Sequence, residues 1–171
     1  MKKLVKLMTM FILVVGLFAC NSTGNSDIVI DPTNVGDDST VITFSIDNRI
    51  LNLPENYDKL NDSYKKFVDE SGYIVKDLKV ELKSEASVLD VLEAVTEEKG
   101  IAVSYGDMGT MKYVISINHI DAAILGGYSG WMVRVNGEFP PVGMEEIILK
   151  DGDVVDILFT TDMGEDIKKL D

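Results

Sequence analysis

One well-marked amphipathic helix among many short strand-forming segments is the feature that most restricts how this chain can fold. Its apolar side chains repeat at helical spacing: Val88, Val91, Leu92 and Val95. Ser87 lies three residues before Asp90, so each side chain can bond the backbone amide that the other leaves exposed at a helix start. Because Gly100 is suited to end a helix, the sequence predicts a helix between Ser87 and Gly100.

Short strands account for most of the remaining folded part. Runs rich in branched and aromatic residues are separated by Gly, Asn and Asp, which is typical of β-strands and turns. Seven strands are predicted: 41–46, 73–82, 101–105, 113–117, 131–135, 146–149 and 154–160. Asn136-Gly137 between apolar runs indicates a tight hairpin. The pattern predicts an α+β domain with a mixed sheet packed on one main helix.

A second, shorter helical segment is predicted between the first two strands. Four residues at steps of three, four and three would share one helix face: Tyr57, Leu60, Tyr64 and Phe67. Pro54 suits the start of this helix and Ser71-Gly72 its end. Such an aromatic face is ordinarily used for packing on a sheet.

The first 20 residues have the pattern of a bacterial lipoprotein signal peptide. Three lysines precede a mostly apolar run, 7–19, which is too short to cross a bilayer that needs roughly 20 apolar residues. Leu17-Phe18-Ala19-Cys20 resembles a lipobox, after which Cys20 becomes the diacylated first residue. Two acyl chains give stable anchoring. A plain secretory signal and an uncleaved anchor are the alternatives.

The expected organisation is a signal peptide at 1–20, a flexible polar tether at 21–40 and one domain at 41–171. Cys20 is the single cysteine of the chain, so no disulfide is expected. Loss of the three leading lysines takes the formal charge from −13 to −16. So acidic a protein is repelled by nucleic acid, which is not expected as a partner.

The residues give no pattern for catalysis or for a metal centre. His119 is the only histidine, which leaves no histidine pair to bind a metal. Ser116 and Asp121 lie near it in the sequence, but no nucleophile elbow or oxyanion turn accompanies them. We therefore expect neither an enzyme nor a protein that requires a metal.

A glycine-rich, aromatic stretch, 118–141, is the candidate ligand-binding segment. Glycines let the backbone approach a ligand closely, and aromatic rings offer stacking area with a polar edge. The candidate contact residues are Asn118, His119, Gly127, Tyr128, Ser129, Trp131, Phe139 and Pro140. An equally consistent interpretation is that Trp131 belongs to the core and the glycines only turn the chain.

The same stretch resembles a known family. Ser129 to Gly137, with the sequence Ser-Gly-Trp-Met-Val-Arg-Val-Asn-Gly, is similar to the Trp hairpin of transcobalamin C-terminal-like domains. Three further segments resemble the family's helix start, the strand before its central loop and its closing strands: 87–92, 113–118 and 141–155. The similarity extends over roughly residues 41 to 162.

The resemblance implies a β-grasp-like fold and binding of a solute, with cobalamin or another corrinoid as the suspected ligand. It places the contacts on the 118–131 loop and on the 136–141 hairpin tip, with Tyr128, Ser129, Trp131 and Phe139 foremost. Asn118 and Gly127 would shape the loop. A membrane transporter would then receive the solute. A cell-surface protein-interaction or cell-wall module without a small ligand is the alternative function.

Three departures from the family bear on the site. This chain is too short to contain the large helical domain that completes the cobalamin site of the animal carriers. The segment 51–77 is longer than the usual connection, and it would either supply a replacement wall for the site or cover a sheet edge. His119 stands where a small turn residue is common, and imidazole is a chemically reasonable cobalt ligand.

Overall fold

The computed structural model describes residues 27–36, 38–109 and 111–170. The predicted signal peptide with Cys20, and residues 21–26 of the expected tether, lie outside these ranges. Eight strands occur within them: β1 (Ile28–Ile30), β2 (Thr40–Asp47), β3 (Tyr73–Leu82), β4 (Val103–Met108), β5 (Met111–Ile117), β6 (Ile120–Asp121), β7 (Gly130–Val135) and β8 (Val154–Thr160). The helices are α1 (Pro54–Tyr57), α2 (Asp62–Lys65) and α3 (Val88–Glu98), with 3-10 turns at Arg49–Asn52 and Ile167–Lys169.

The main sheet has five strands in the order β1-β3-β2-β8-β7. β2 and β8 are parallel, and the other neighbours are antiparallel. The sheet is therefore mixed. Its parallel neighbours β2 and β8 are separated in the sequence by most of the domain. This architecture, with one main helix on the sheet, confirms the predicted α+β class.

Helix α3 begins as its sequence predicts. The Ser87 hydroxyl accepts a hydrogen bond from the Asp90 amide at 3.2 Å, and the Asp90 carboxylate accepts one from the Ser87 amide at 2.8 Å. The apolar face of α3 is buried in the main core against the sheet: Val88, Val91, Leu92 and Val95. Each is no more than 1% exposed, so removal of this face from water is the main contribution of α3 to stability.

A second, three-stranded sheet, β4-β5-β6, extends the core. The register of β4 and β5 shifts next to Ile115, where β5 carries one extra residue. A bulge of this kind changes which face the following side chains occupy. As a result Val114 and Ile117 are both buried in the main core although three residues separate them.

The segment 51–77, called the insert below, contains helix, but the prediction of one continuous helix from Tyr57 to Phe67 is wrong. Two one-turn helices, α1 and α2, replace it. Asn61 explains the break, because its backbone is extended (φ −64°, ψ 142°) and its side chain accepts a hydrogen bond from the Ser63 amide. The residue acts as an N-cap, a role in which asparagine is favoured over a helix interior.

Two other segments also differ from expectation. The predicted strand 146–149 is absent, since this segment makes only an isolated bridge between Ile148 and Ser87 at the start of α3. Conversely, Ile28–Ile30 forms an edge strand of the main sheet, although the composition around it is typical of a tether. Within the described residues, the longest helix is α3 with 11 residues, and no helix has the length and apolar character needed to cross a membrane.

Candidate functional site

In the loop between β6 and β7, residues 122–129, the Ser129 side chain bonds several backbone groups. The Ser129 hydroxyl lies 2.7 Å from the carbonyl oxygens of both Ala122 and Gly126, and it accepts a hydrogen bond from the Leu125 amide at 3.3 Å. Because a hydroxyl has one proton, it donates to one of the two carbonyls at a time. Ser129 thus closes the loop on itself.

The two residues before β6 are also held within the protein. Asn118 and His119 both have positive φ, 49° and 63°, which forms the tight turn between β5 and β6. The Asn118 side-chain amide is 3.5 Å from the Phe67 carbonyl oxygen. The His119 ring packs on the Phe67 ring with centroids 4.6 Å apart. The proposed cobalt-ligand role of His119 remains a prediction.

The insert packs against the 122–129 loop through apolar side chains. A second apolar cluster connects the 3-10 turn Arg49–Asn52 and the insert to the 122–129 loop. Its buried members are Ile50, Leu51, Leu60, Ile120 and Phe159, and the half-buried side chains of Phe67, Ile124, Leu125 and Trp131 pack on them. The Tyr64 hydroxyl donates to Asp121 at 2.9 Å, which raises the pKa of Tyr64. The insert therefore acts as a foundation for the loop, and it contributes no residue to the pocket described below.

Trp131 connects the two apolar clusters. Its ring meets Phe159 edge to face, with centroids 5.1 Å apart at 79°. Its indole N–H donates to the Ile120 carbonyl oxygen at 3.1 Å. The side chain is only half-buried, so one part of the ring belongs to the core and another part reaches a surface pocket.

That pocket lies beside β7, between β5 and the segment that follows the Asn136-Gly137 turn. Its volume is about 180 Å³. Its walls are mostly apolar: Met111, Tyr113, Val114, Trp131, Met132, Val133, Phe139, Pro140, Val142 and Met144. A pocket of this composition is suited to an apolar or aromatic group, since it offers few polar side chains.

Exposed apolar side chains surround the pocket. Met111, Tyr113 and Val142 are each more than 40% exposed, and Phe139 is 39% exposed. Tyr113 is held by β4, because its ring covers Gly106 so closely that a Cβ there would lie 2.5 Å from the ring. A patch of neighbouring exposed apolar side chains is more often an interaction surface than a patch taken at random from the protein surface.

One charged residue, Lys112, is among those that line the pocket. Lys112 pairs with Glu93 at 3.6 Å, and its backbone amide donates to Glu145 at 3.0 Å. Hydrogen bonds from the backbone amides of Glu145 and Lys112 lower the pKa of the Glu145 carboxyl. Glu145 is therefore ionised at neutral pH and fixes Lys112 beside the segment 142–144.

The structure divides the predicted site residues into two groups. Trp131, Phe139 and Pro140 line the pocket. Asn118, His119, Gly127, Tyr128 and Ser129 belong to the loop and its preceding turn, and none of them lines the pocket. Gly127 has no positive φ and has open space where a Cβ would be, so neither steric reason requires glycine there.

Sequence analysis missed half of the pocket. Met111, Tyr113 and Val114 lie on β5, and Val142 to Met144 follow the candidate stretch. The sequence of β5 did contain a signal, because its apolar residues Met111, Tyr113 and Ile115 occupy alternate positions and so share one face of the strand. The pattern alone does not say whether that face is exposed. Within the described residues, no three His, Cys, Asp or Glu side chains lie close enough together to hold a metal ion.

Residues 85–161 match the model of a family described as a domain of unknown function, DUF4430. No curated protein matches the chain in sequence. Among solved structures, haptocorrin in complex with Cbi is similar with a TM-score of 0.52 at 11% identity. The alignment covers 77% of this chain and 27% of the haptocorrin chain. A candidate metal-binding protein from Ruminococcus gnavus ATCC 29149 aligns with a TM-score of 0.40 at 15% identity, over 71% of this chain and 96% of that one.

At 11% identity the likeness to haptocorrin concerns the fold alone. It supports, at that level, the resemblance to transcobalamin C-terminal-like domains that the sequence indicates. This chain spans about a quarter of the haptocorrin chain, so most of that protein has no counterpart here.

Proposed function

We propose that this protein is a membrane-anchored extracytoplasmic lipoprotein that binds a bulky solute, cobalamin or another corrinoid, and passes it to a transporter. The observation that carries the proposal is the apolar pocket beside β7, with Trp131, Phe139 and Pro140 in its wall. An aromatic wall next to exposed apolar side chains provides contact area for a large, flat ligand.

The size of the pocket determines how such a ligand would bind. Pockets that enclose a drug-sized molecule measure roughly 300–1,000 Å³, and this one measures about 180 Å³. It therefore receives one apolar part of the ligand, while the rest lies over the exposed rim of Met111, Tyr113 and Val142. The mechanism is non-covalent, through stacking, burial of apolar surface and exclusion of water.

The likeness to haptocorrin adds support of a limited kind. That protein was solved with Cbi, and this chain corresponds to 27% of it. A domain that forms one wall of a corrinoid site is consistent with a shallow pocket and an open apolar rim. The remaining wall would come from the transporter or from another protein that receives the ligand.

Membrane anchoring rests on the sequence pattern of residues 2–20. The basic start, the short apolar run and the cysteine at position 20 are together typical of a diacylated lipoprotein. The strong negative charge disfavours a second, electrostatic attachment to anionic lipid. Labelling of Cys20 with a radioactive fatty acid, compared with a Cys20→Ala variant, tests this part separately.

Calorimetric titration of the detergent-solubilised full chain with cyanocobalamin and hydroxocobalamin is the direct test. We expect saturable one-to-one binding with Kd in the micromolar range, about −8 kcal/mol. Absence of heat with both compounds at millimolar concentration would contradict corrinoid binding.

A pair of variants locates the site. Phe139→Ser removes an aromatic wall of the pocket and should weaken binding about tenfold or more, because apolar contact area is lost. Tyr128→Ala removes a ring that is 70% exposed on the loop and does not line this pocket, so it should leave Kd unchanged. The opposite result would place the solute on the 122–129 loop.

The exposed apolar side chains also favour a second candidate function, a protein-interaction module. Besides the pocket rim, Met108 is 71% exposed and Ile115 is 40% exposed on the small sheet. A surface of this extent suits a protein partner as well as a solute. Cross-linking from Cys introduced at Met108, followed by mass spectrometry, would identify such a partner, and loss of cross-linking on addition of cobalamin would instead favour the solute.

A further inference from the structure

Methionine is concentrated in the part of the molecule that forms the pocket. The described residues contain five methionines: Met108, Met111, Met132, Met144 and Met163. Three of them line the pocket, namely Met111, Met132 and Met144. Met108 lies directly opposite Met111 in the hairpin of β4 and β5. Because its thioether side chain is flexible and polarisable, methionine is common on surfaces that adapt to a bound group.

The three methionines of the pocket differ in their exposure to solvent. Met144 is 7% exposed and belongs to the main core, whereas Met111 is 43% exposed. Met132 is half-buried, and its sulfur lies 3.2 Å from the position that a Cβ at Gly164 would occupy. Among the described methionines, Met111 alone combines a place in the pocket wall with an exposed side chain.

Met111 packs beside Gly143, in the segment that closes the pocket. A Cβ at Gly143 would lie 3.0 Å from Cγ of Met111 and 2.7 Å from Oε2 of Glu145, so these two side chains flank the same glycine. Oε2 of Glu145 is buried and has no hydrogen-bond partner among the described residues. A thioether is only a weak acceptor, so it is tolerated beside a carboxylate where a strong acceptor is not.

Peroxides convert an exposed thioether to a sulfoxide. A lone pair of the sulfur attacks one peroxide oxygen, an S–O bond forms and the O–O bond breaks. The hydroxide that leaves takes the proton of the transferred oxygen and departs as water. The sulfur loses two electrons and hydrogen peroxide gains them, so the reaction needs no further reactant.

A sulfoxide at position 111 would change the pocket in one of two ways. Its oxygen is an acceptor beside the Glu145 carboxylate, which also only accepts, so repulsion drives the side chain away from Gly143. If the side chain remains in the wall, an apolar ligand removes water from the oxygen, and a buried polar group without a partner is costly. Either change weakens the binding of an apolar group.

We propose that Met111 is a reversible oxidation site, at which hydrogen peroxide converts the pocket from a form that binds an apolar group to a form that releases it. This inference rests on the part of the proposed function that assigns an apolar part of the ligand to the pocket. It does not rest on the identity of that ligand. Sulfoxide reductases return methionine sulfoxide to methionine, so the change is reversible.

The test uses the full chain in detergent, with every methionine isotopically labelled in its methyl group. NMR then reports both oxidation and ligand contact at each methionine, and peptide mass mapping identifies the sulfoxides. The ligand probes are cyanocobalamin and indole, a flat aromatic molecule small enough for a pocket of about 180 Å³. Each probe is titrated before treatment with hydrogen peroxide, after it, and after reduction by sulfoxide reductases of both stereospecificities.

We expect Met111 to be oxidised well before the buried Met144. Before oxidation the probe should shift the Met111 methyl signal. After oxidation its binding should weaken about tenfold or more, because a polar oxygen is then covered without a partner. Reduction should restore binding. Oxidation of Met144 ahead of Met111, or oxidation of Met111 with unchanged affinity, would overturn the proposal.

Matched variants assign the effect to one sulfur. Met111→Leu keeps an apolar side chain of similar volume, so it should bind the probe equally well before and after peroxide. Met163→Leu is the control, because Met163 is 68% exposed but does not line the pocket. This variant, like Met108→Leu, should lose binding on oxidation as the natural chain does. Loss of binding by oxidised Met111→Leu would place the sensitive group elsewhere and overturn the assignment.

The two proposals fail separately. Indole binding that peroxide abolishes, without any cobalamin binding before oxidation, would leave this inference standing and remove the corrinoid. Cobalamin binding that survives oxidation of Met111 would do the reverse. A Met111 methyl signal that neither probe shifts would overturn the inference, because the pocket would then hold no apolar group.

Discussion

The 122–129 loop and the pocket beside β7 are both rich in aromatic or glycine residues, yet they differ in what they leave available. In the loop, Ser129 bonds the backbone at three points and the underlying cluster fills the space below. At the pocket, apolar side chains are exposed.

This difference teaches that composition alone is a poor guide to a binding surface. Glycines, serine and aromatic residues suit a ligand loop, but here the serine hydroxyl is bonded to the backbone of the loop itself. The capacity to bind is found where polar or apolar groups lack internal partners, and that depends on which distant segments meet.

The largest expected effect is at Trp131, the one residue that serves both regions. Trp131→Ala removes its contacts with both apolar clusters and should lower the free energy of unfolding by about 2–4 kcal/mol. Denaturant unfolding measures this. Trp131→Phe keeps most of the ring packing and loses only the bond to Ile120, so it should cost about 1 kcal/mol. Equal costs for the two variants would contradict the bridging role.

Ser129→Ala should separate the regions. It leaves the Leu125 amide without its acceptor and the Ala122 carbonyl oxygen without the hydroxyl donor, for a cost of about 1–2 kcal/mol, while the Gly126 carbonyl oxygen keeps the Ser129 amide as a donor. Hydrogen exchange should increase in 122–129 and stay unchanged in β7. Ser84→Ala, at an exposed serine with a single bond of 3.3 Å to Asp27, is the control and should change stability by less than about 0.5 kcal/mol. Faster exchange in β7 would show that loop and edge are coupled.

As the pH is lowered, the 122–129 loop should be destabilised at a higher pH than the pocket, because of the Asp166 carboxyl. Burial acts to raise the pKa of this carboxyl, but hydrogen bonds from Thr160 and Thr161 outweigh it and leave the pKa below its ordinary value of 3.8. In the turn between Thr160 and Asp166, the Met163 amide donates a hydrogen bond to the Tyr128 carbonyl oxygen at 3.0 Å, which connects Asp166 to the loop. A depressed pKa stabilises the fold above the unfolded value, and that stabilisation is lost as pH falls through the folded value.

The measurement compares urea unfolding of the natural chain and of Asp166→Asn at several pH values. At pH 7 the variant should be less stable, and the difference should shrink as the pH is lowered below about 4. A difference that stays constant from pH 7 to pH 2 would mean that ionisation of Asp166 contributes nothing.

The smallest effect is expected at Tyr128. Its side chain is 70% exposed and belongs to neither apolar cluster. Tyr128→Ala should therefore change the free energy of unfolding by less than about 0.5 kcal/mol. A larger loss, measured by the same unfolding experiment, would show that the ring packs on the loop in solution.

The elements that sequence analysis located best are those with a local cause. The predicted bounds of β3 and β8 are those observed, and the capping pair of Ser87 and Asp90 starts α3 as expected. The Asn136-Gly137 turn has positive φ at both residues, 52° and 86°, as a two-residue hairpin requires. In each case neighbours in sequence determine the geometry.

The errors arise where a local pattern competes with another contact. Asn61 interrupts an otherwise helical spacing because its side chain prefers to cap α2. The 146–149 segment has strand composition, but it bonds the start of α3 instead of a sheet. The pocket was half missed because β5, β7 and 139–144 meet only through the tertiary fold.

If Cys20 is acylated as we propose, the short strand β1 limits how far the domain can stand from the membrane. Pairing of Ile28–Ile30 with β3 fixes the chain from residue 28 onward. With acylation at Cys20, only residues 21–27 remain between the lipid and the sheet, and seven residues span at most about 25 Å when fully extended. A linker of that length would keep the domain within about one protein diameter of the bilayer, so that a membrane-embedded partner would be within reach and a partner on a distant surface would not.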